Sequence, residues 1–237
     1  MGGMTAHRDG PGVKAFVAGE LAKRANPEKA APMAAYMKTD MPFYGVQKPG
    51  RKEVFKGLRE RFAPADAADY EASVLALWSG SHREEKYLAI DFARAFKRFI
   101  TPASLPLYER LVREGAWWDF VDPVASDLVG HVLLHHRPLV SPMMEQWIHD
   151  PDFWIRRTAL ISQLRHKAET NSEQLFRLCI ERAHEKEFFI RKAIGWALRE
   201  YSKTEPQAVE EFLSRNRDQL SGLSFREGMK VIERARG

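Results

Sequence analysis

Apolar residues recur at three- and four-residue intervals along almost the whole chain, the spacing of one face of an α-helix. No stretch alternates apolar and polar residues long enough to make a strand. With proline, glycine and capping residues as boundaries, the pattern predicts helices at about 13–24, 27–40, 50–62, 66–79, 82–99, 103–114, 117–136, 139–149, 152–167, 172–183, 187–202, 205–216 and 223–235. The turns between them are short, as at Asn26-Pro27, Ala63-Pro64-Ala65, Thr101-Pro102, Arg137-Pro138 and Glu205-Pro206. Helices joined this closely pack antiparallel, in pairs.

One phrase occurs twice. His149-Asp-Pro-Asp-Phe-Trp-Ile-Arg-Arg-Thr-Ala is matched, 35 residues on, by His184-Glu-Lys-Glu-Phe-Phe-Ile-Arg-Lys-Ala-Ile. A weaker echo, Lys86-Tyr-Leu-Ala89, stands 70 residues before Arg156-Arg-Thr-Ala159. A period of this length is the mark of stacked helix pairs. The expected fold is therefore all-α: a right-handed α-solenoid of about six HEAT-like pairs, whose second helices line a concave surface. Residues 1–12, rich in glycine, are expected to be a disordered lead-in, and 13–237 a single HEAT-like repeat domain.

The period also aligns chemistry. One step before Arg157 stands Asp122, in Trp117-Trp118-Asp119-Phe120-Val121-Asp122, and one step after it stands Lys192. In register, the three project side by side from equivalent helices. Lys192, Trp196 and Arg199 are three or four residues apart and share a face, as do Trp118 and Asp122. The groove is thus expected to display Trp118, Asp122, Arg157, Lys192, Trp196 and Arg199. A carboxylate kept charged in such a groove needs a neighbour such as Arg157. The alternative is that Asp122 only caps a helix starting at Pro123. Consecutive tryptophans point about 100° apart, so of Trp117 and Trp118 one faces the groove, and Trp118 shares the Asp122 stripe. Trp78, Trp147 and Trp154 sit among apolar neighbours and are expected in the core.

Composition narrows the field. No run of roughly 18 apolar residues suggests a membrane span, and the N-terminus lacks a signal-peptide stretch, so the expected location is the cytoplasm. The single cysteine, Cys179, lies in an apolar segment and is expected to be buried. Lys and Arg number 37 against 32 Asp and Glu, a mild +5 that is compatible with nucleic acid. His131 and His135 have the spacing of a metal pair, but the motif glutamate is missing and no third ligand stands nearby in sequence. Glycine-rich phosphate loops, Gly-x-Ser-x-Gly and Cys-x-x-Cys are absent, which leaves nucleotide hydrolysis and serine or cysteine hydrolysis without support.

Longer motifs carry a resemblance. Asn26-Pro-Glu-Lys29 through Pro32-Met-Ala-Ala-Tyr36-Met-Lys38, Phe43-Tyr-Gly-Val46, Trp117-Trp-Asp-Phe-Val-Asp122, Trp154-Ile-Arg-Arg157 and Glu187 through Tyr201 together resemble the AlkD family of DNA alkylation-repair glycosylases, in order and spacing over nearly all the chain beyond residue 12. The resemblance implies a solenoid that grips duplex DNA and excises cationic N3- and N7-alkylated purines. It maps the catalytic carboxylate to Asp122, aromatic groove residues to Trp118 and Trp196, the key arginine to Arg157 and a further aromatic to Tyr36. Pro123 departs from the family pattern and bears on the aim of Asp122. Lys48, Arg51 and Lys52 are candidate phosphate contacts, as are Lys192 and Arg199 beside Arg157; ordinary solvated charge is the other reading of the first three. No lysine stands out as a Schiff-base nucleophile, so a monofunctional, cofactor-free monomer with alkylated duplex DNA as partner is expected. The rival functions are a non-catalytic module for damaged or branched DNA and a protein–protein scaffold.

Overall fold

Helices begin where a short polar side chain can catch a free backbone N–H, and the repeated phrase does this twice. Asp152 accepts from the Trp154 N–H at 2.9 Å, and Glu187, 35 residues later, accepts from the Phe189 N–H at 3.1 Å. In the computed structural model, which describes residues 10–236, every regular element among the described residues is helical. They are α1 (Gly10–Ala22), α2 (Pro27–Met37), α3 (Lys48–Arg61), α4 (Ala67–Trp78), α5 (Arg83–Ala95), α6 (Leu105–Gly115), α7 (Trp118–Pro123), a π-helical segment (Val124–Val129), α8 (Gly130–His135), α9 (Arg137–Trp147), α10 (Phe153–Ile161), α11 (Ser172–Glu181), α12 (Phe188–Tyr201), α13 (Pro206–Arg215) and α14 (Gly222–Arg234). The expected all-α class holds. Most of the lead-in expected over 1–12 lies outside the described residues, and Gly10 already opens α1. The chain divides into two compact units, with the boundary between Ser104 and Leu105.

Two predicted helices end early. The one expected over 152–167 stops at Ile161. There the Gln163 side chain is taken up by the backbone of Asn171, and Lys167 turns the chain at φ +53. The one expected over 82–99 stops at Ala95 and yields to a 3-10 turn at Lys97–Phe99.

In the N-terminal unit, α1, α3, α4 and α5 pack around Val17, Leu21, Leu58, Val74, Leu77, Leu88 and Phe92. Helix α2 buries none of its residues. Its flanks are instead fixed through a loop. Gly45 has φ +83, and a Cβ there would stand 2.0 Å from the Asn26 carbonyl oxygen. The buried Glu84 carboxylate accepts the N–H groups of Tyr44, Gly45 and Val46 at 3.1, 2.9 and 3.0 Å, which satisfies a charge that burial alone would penalise.

In the C-terminal unit, the helices alternate between two rows. First helices are α6, α9, α11 and α13; second helices are the run from α7 to α8, then α10, α12 and α14, each packed on the next. Buried Phe120, Val121, Val124 and Leu128 keep three- and four-residue spacing along the first of these, as do Ile190, Ile194 and Leu198 along α12. Glycine sets the closest approach: a Cβ on Gly195 would lie 2.5 Å from the Glu227 Cβ and 2.9 Å from the Ser224 carbonyl oxygen. Only hydrogen fits there, and it brings α12 hard against α14. Cys179 is buried on α11, where burial pushes its thiol pKa up. Trp78, Trp147 and Trp154 are buried as expected.

Candidate active site

Pro123 does not start a helix. Helix α7 begins at Trp118, and the helical run continues through Pro123 into the π-helical segment and α8, so Asp122 is not a cap. A proline inside a helix deletes one N–H and crowds the carbonyl four residues back. Here the turns beyond it widen to π geometry, a form often found at functional sites. The Ser126 hydroxyl donates to the Asp122 carbonyl at 2.9 Å and secures the backbone at that point.

The Asp122 side chain meets Arg157 of α10 end-on. Arg157 Nε donates to Oδ1 at 2.8 Å and Nη2 donates to Oδ2 at 2.9 Å, a fork-on-fork pair. The third guanidinium nitrogen, Nη1, donates to the Phe189 carbonyl of α12 at 2.6 Å. Arg157 is therefore braced between two neighbouring second helices, and its side chain is only 5% exposed against 13% for Asp122. Burial raises the Asp122 carboxyl above its ordinary value, the bidentate guanidinium opposes that rise, and Asp119 adds to it. The guanidinium carbon lies 6.0 Å from the Trp196 ring centroid and 5.9 Å from that of Phe189, at the edge of cation–π range.

Of the residues singled out in the sequence, Arg157 on α10 thus meets Asp122 of α7 and lies near Trp196 of α12, and Trp118 stands one turn before Asp122 on α7. Trp118 and Trp196 are part-exposed. Trp117 packs against Trp154 and Phe189 at centroid distances of 6.0 and 5.5 Å, and its indole N–H is buried without a partner. Each of the three Arg157 nitrogens donates inside the protein, two to Asp122 and one to the Phe189 carbonyl, so the neighbour expected to keep the carboxylate charged is in place.

Lys192 and Arg199 do not join that pair. Lys192 Nζ lies 3.1 Å from the Glu227 carboxylate, and Arg199 and Lys230 bind the same carboxylate. Sequence reading missed Glu227, although one more 35-residue step from Lys192 arrives at it. The ladder Asp122, Arg157, Lys192, Glu227 runs along four second helices as two ion pairs.

The remaining candidates belong to the N-terminal unit. Tyr36 on α2 is 73% exposed. Lys48 and Lys52, in the first turns of α3, are exposed. Arg51 is half-buried, with its guanidinium carbon 4.6 Å from the Tyr87 ring centroid and Nη1 donating to the Val46 carbonyl at 3.4 Å.

An all-helical fold that carries a guanidinium-braced carboxylate has relatives among known proteins. Residues 17–232 match the family of DNA alkylation repair enzymes, so the chain belongs to that family, with a role in alkylation repair and DNA as its substrate. It is also similar to a solved structure, a predicted DNA alkylation repair enzyme from Enterococcus faecalis, at 35% identity and a TM-score of 0.80, over 87% of this chain and 95% of that one. No curated protein matches it.

Proposed function

We propose that this protein is a monofunctional DNA glycosylase that hydrolyses the N-glycosidic bond of cationic N3- and N7-alkylated purines in duplex DNA. The observation that supports this most is the Asp122–Arg157 pair: a carboxylate largely withdrawn from water, fixed by two hydrogen bonds and still exposed along one edge. Purines alkylated at N3 or N7 are already positive, so they leave as neutral bases without being protonated. As the bond from C1′ to nitrogen breaks, its electron pair goes to the base and positive charge passes to the deoxyribose, as in glycoside hydrolysis. A preorganised anion beside that sugar stabilises the developing charge.

Water then adds its oxygen to C1′, and its proton passes to the Asp122 carboxylate or to solvent. The products are an abasic site, the free alkylpurine and one proton. Trp118 and Trp196 present ring faces that favour a cation. Lys192 and Arg199 in one unit, and Tyr36, Lys48, Arg51 and Lys52 in the other, engage the backbone, which fixes register and carries no sequence information.

The test is incubation with a duplex carrying one 7-methylguanine, scored for free base and for alkali-labile strand breaks. Both are expected with the wild-type protein and neither with Asp122→Asn. Intact substrate with wild type, or equal release by the variant, removes the glycosylase.

A further inference from the structure

We propose that Glu227 is a positioning residue, fastening Lys192, Arg199 and Lys230 into one anion-binding station for the DNA phosphates beside the lesion. This rests on the glycosylase reading above and adds to it two residues, Glu227 and Lys230, that neither the motifs nor the family comparison singles out.

The geometry is specific. Glu227 on α14 faces the stripe of α12 that carries Lys192, Gly195 and Arg199, positions separated by three and four residues. Gly195 lets the helices close until the carboxylate stands between the two cations, and Lys230 joins from the next turn of α14. One oxygen takes Lys192 at 3.1 Å and Lys230; the other takes Arg199. The Glu227 side chain is 7% exposed. Burial by itself would raise its pKa, but Lys230, Lys192 and Arg199 outweigh that and hold it at about 2.

A carboxylate that served only to neutralise charge would not gather a threefold excess of it. Three cations on one anion leave two positive charges unbalanced. Each ammonium has three donors and the guanidinium five, and Glu227 uses only one from each. The cations keep 38%, 27% and 54% of their side-chain surface, so the spare donors reach solvent. Their rotamers are set before any ligand arrives, which removes part of the ordering cost of binding. A multi-oxygen anion is what such a cluster fits. Trp196, which follows Gly195 on the same helix, has the Arg157 guanidinium near its ring, so the station borders the Asp122 site.

The decisive variant is Glu227→Gln in the full chain, because counting charge and positioning charge predict opposite results. Removing an anion near a polyanion should tighten binding and steepen its salt dependence if only net charge matters. If Glu227 positions the cations, binding of an undamaged duplex, followed by fluorescence anisotropy across a salt series, weakens several-fold. The slope of log K against log[salt] then becomes shallower by about 0.9 for each phosphate that the protein no longer neutralises. Should Glu227→Gln melt before the assay temperature, Glu227→Asp carries the test: it keeps the net charge, so weaker binding with a shallower slope is expected only if the length and aim of the carboxylate position the cations, and unchanged binding overturns the proposal. Tighter or unchanged binding and an unchanged or steeper slope overturn the positioning role and leave the glycosylase standing. A wild-type protein that does not bind duplex DNA at all removes both.

Discussion

Replacing Arg157 by glutamine strips the candidate site of its brace. Two hydrogen bonds to Asp122 and one to the Phe189 carbonyl disappear together. What remains is a largely buried carboxylate with no counter-charge beside it and a buried carbonyl short of a donor. Breaking a buried ion pair from one side costs about 3–5 kcal/mol. The 13% exposure of Asp122 lets water relieve part of this, which favours the lower end. At about 3 kcal/mol, and with roughly 2–4 °C lost per kcal/mol in a chain of this size, melting should fall by about 6–12 °C. The double variant Asp122→Asn/Arg157→Gln leaves no unpaired charge and should regain most of that loss, while staying inactive. Differential scanning calorimetry of wild type, both singles and the double closes the cycle. A melting temperature for Arg157→Gln within about 2 °C of wild type, or a double variant no more stable than that single, refutes the bracing role.

Three further outcomes follow from the same geometry. Because burial raises the Asp122 pKa, activity that needs the anion should fall away on the acid side above about pH 3.9, the ordinary aspartate value, in a pH profile of base release. Arg157→Gln, by removing the opposing cation, should move that acid limb further up; a limb that stays put contradicts it. Glu227 behaves in the opposite sense: its pKa is depressed to about 2 from 4.5, so the stability it contributes is present above pH 4.5 and lost as pH falls toward 2. Acid melts of Glu227→Gln should be flatter over that window than those of wild type. Finally, Gly195→Ala gains up to about 1 kcal/mol of helix propensity. It also places a Cβ 2.9 Å from a backbone carbonyl oxygen that cannot turn aside. Overpacking of that kind costs about 1–3 kcal/mol, so the net effect is a lower melting temperature; a higher one shows that α14 yields freely.

Much of this was legible in the chain because a repeat fixes register as well as fold. The 35-residue step placed Arg157 opposite Asp122, and the doubled phrase marked the starts of α10 and α12 by their caps. The step was not taken once more, so Glu227 went unseen, and with it the reason Lys192 turns away from Arg157. A cap at Asp122 stayed open as the alternative because local sequence shows only the missing N–H of Pro123, not the helix that runs through it. The turns after it widen and pack against α10 and α6, contacts that periodicity does not carry. The burial of Arg157 does not show locally either, because the Phe189 carbonyl that completes its bonds stands on a helix 32 residues away.

In the proposed mechanism the Asp122 carboxylate answers positive charge on the sugar. Duplexes carrying a cationic nitrogen-containing sugar mimic at one position, compared with the uncharged tetrahydrofuran analogue at the same position, isolate that charge from everything else in the complex. Wild type should bind the cationic duplex more tightly, by about 5–1,000-fold if an anion about 4 Å from the charge acts through an effective dielectric of about 20–80. The Asp122→Asn variant should bind the two alike. Equal affinity of the wild-type protein for both duplexes, or a preference that survives in Asp122→Asn, contradicts the carboxylate mechanism.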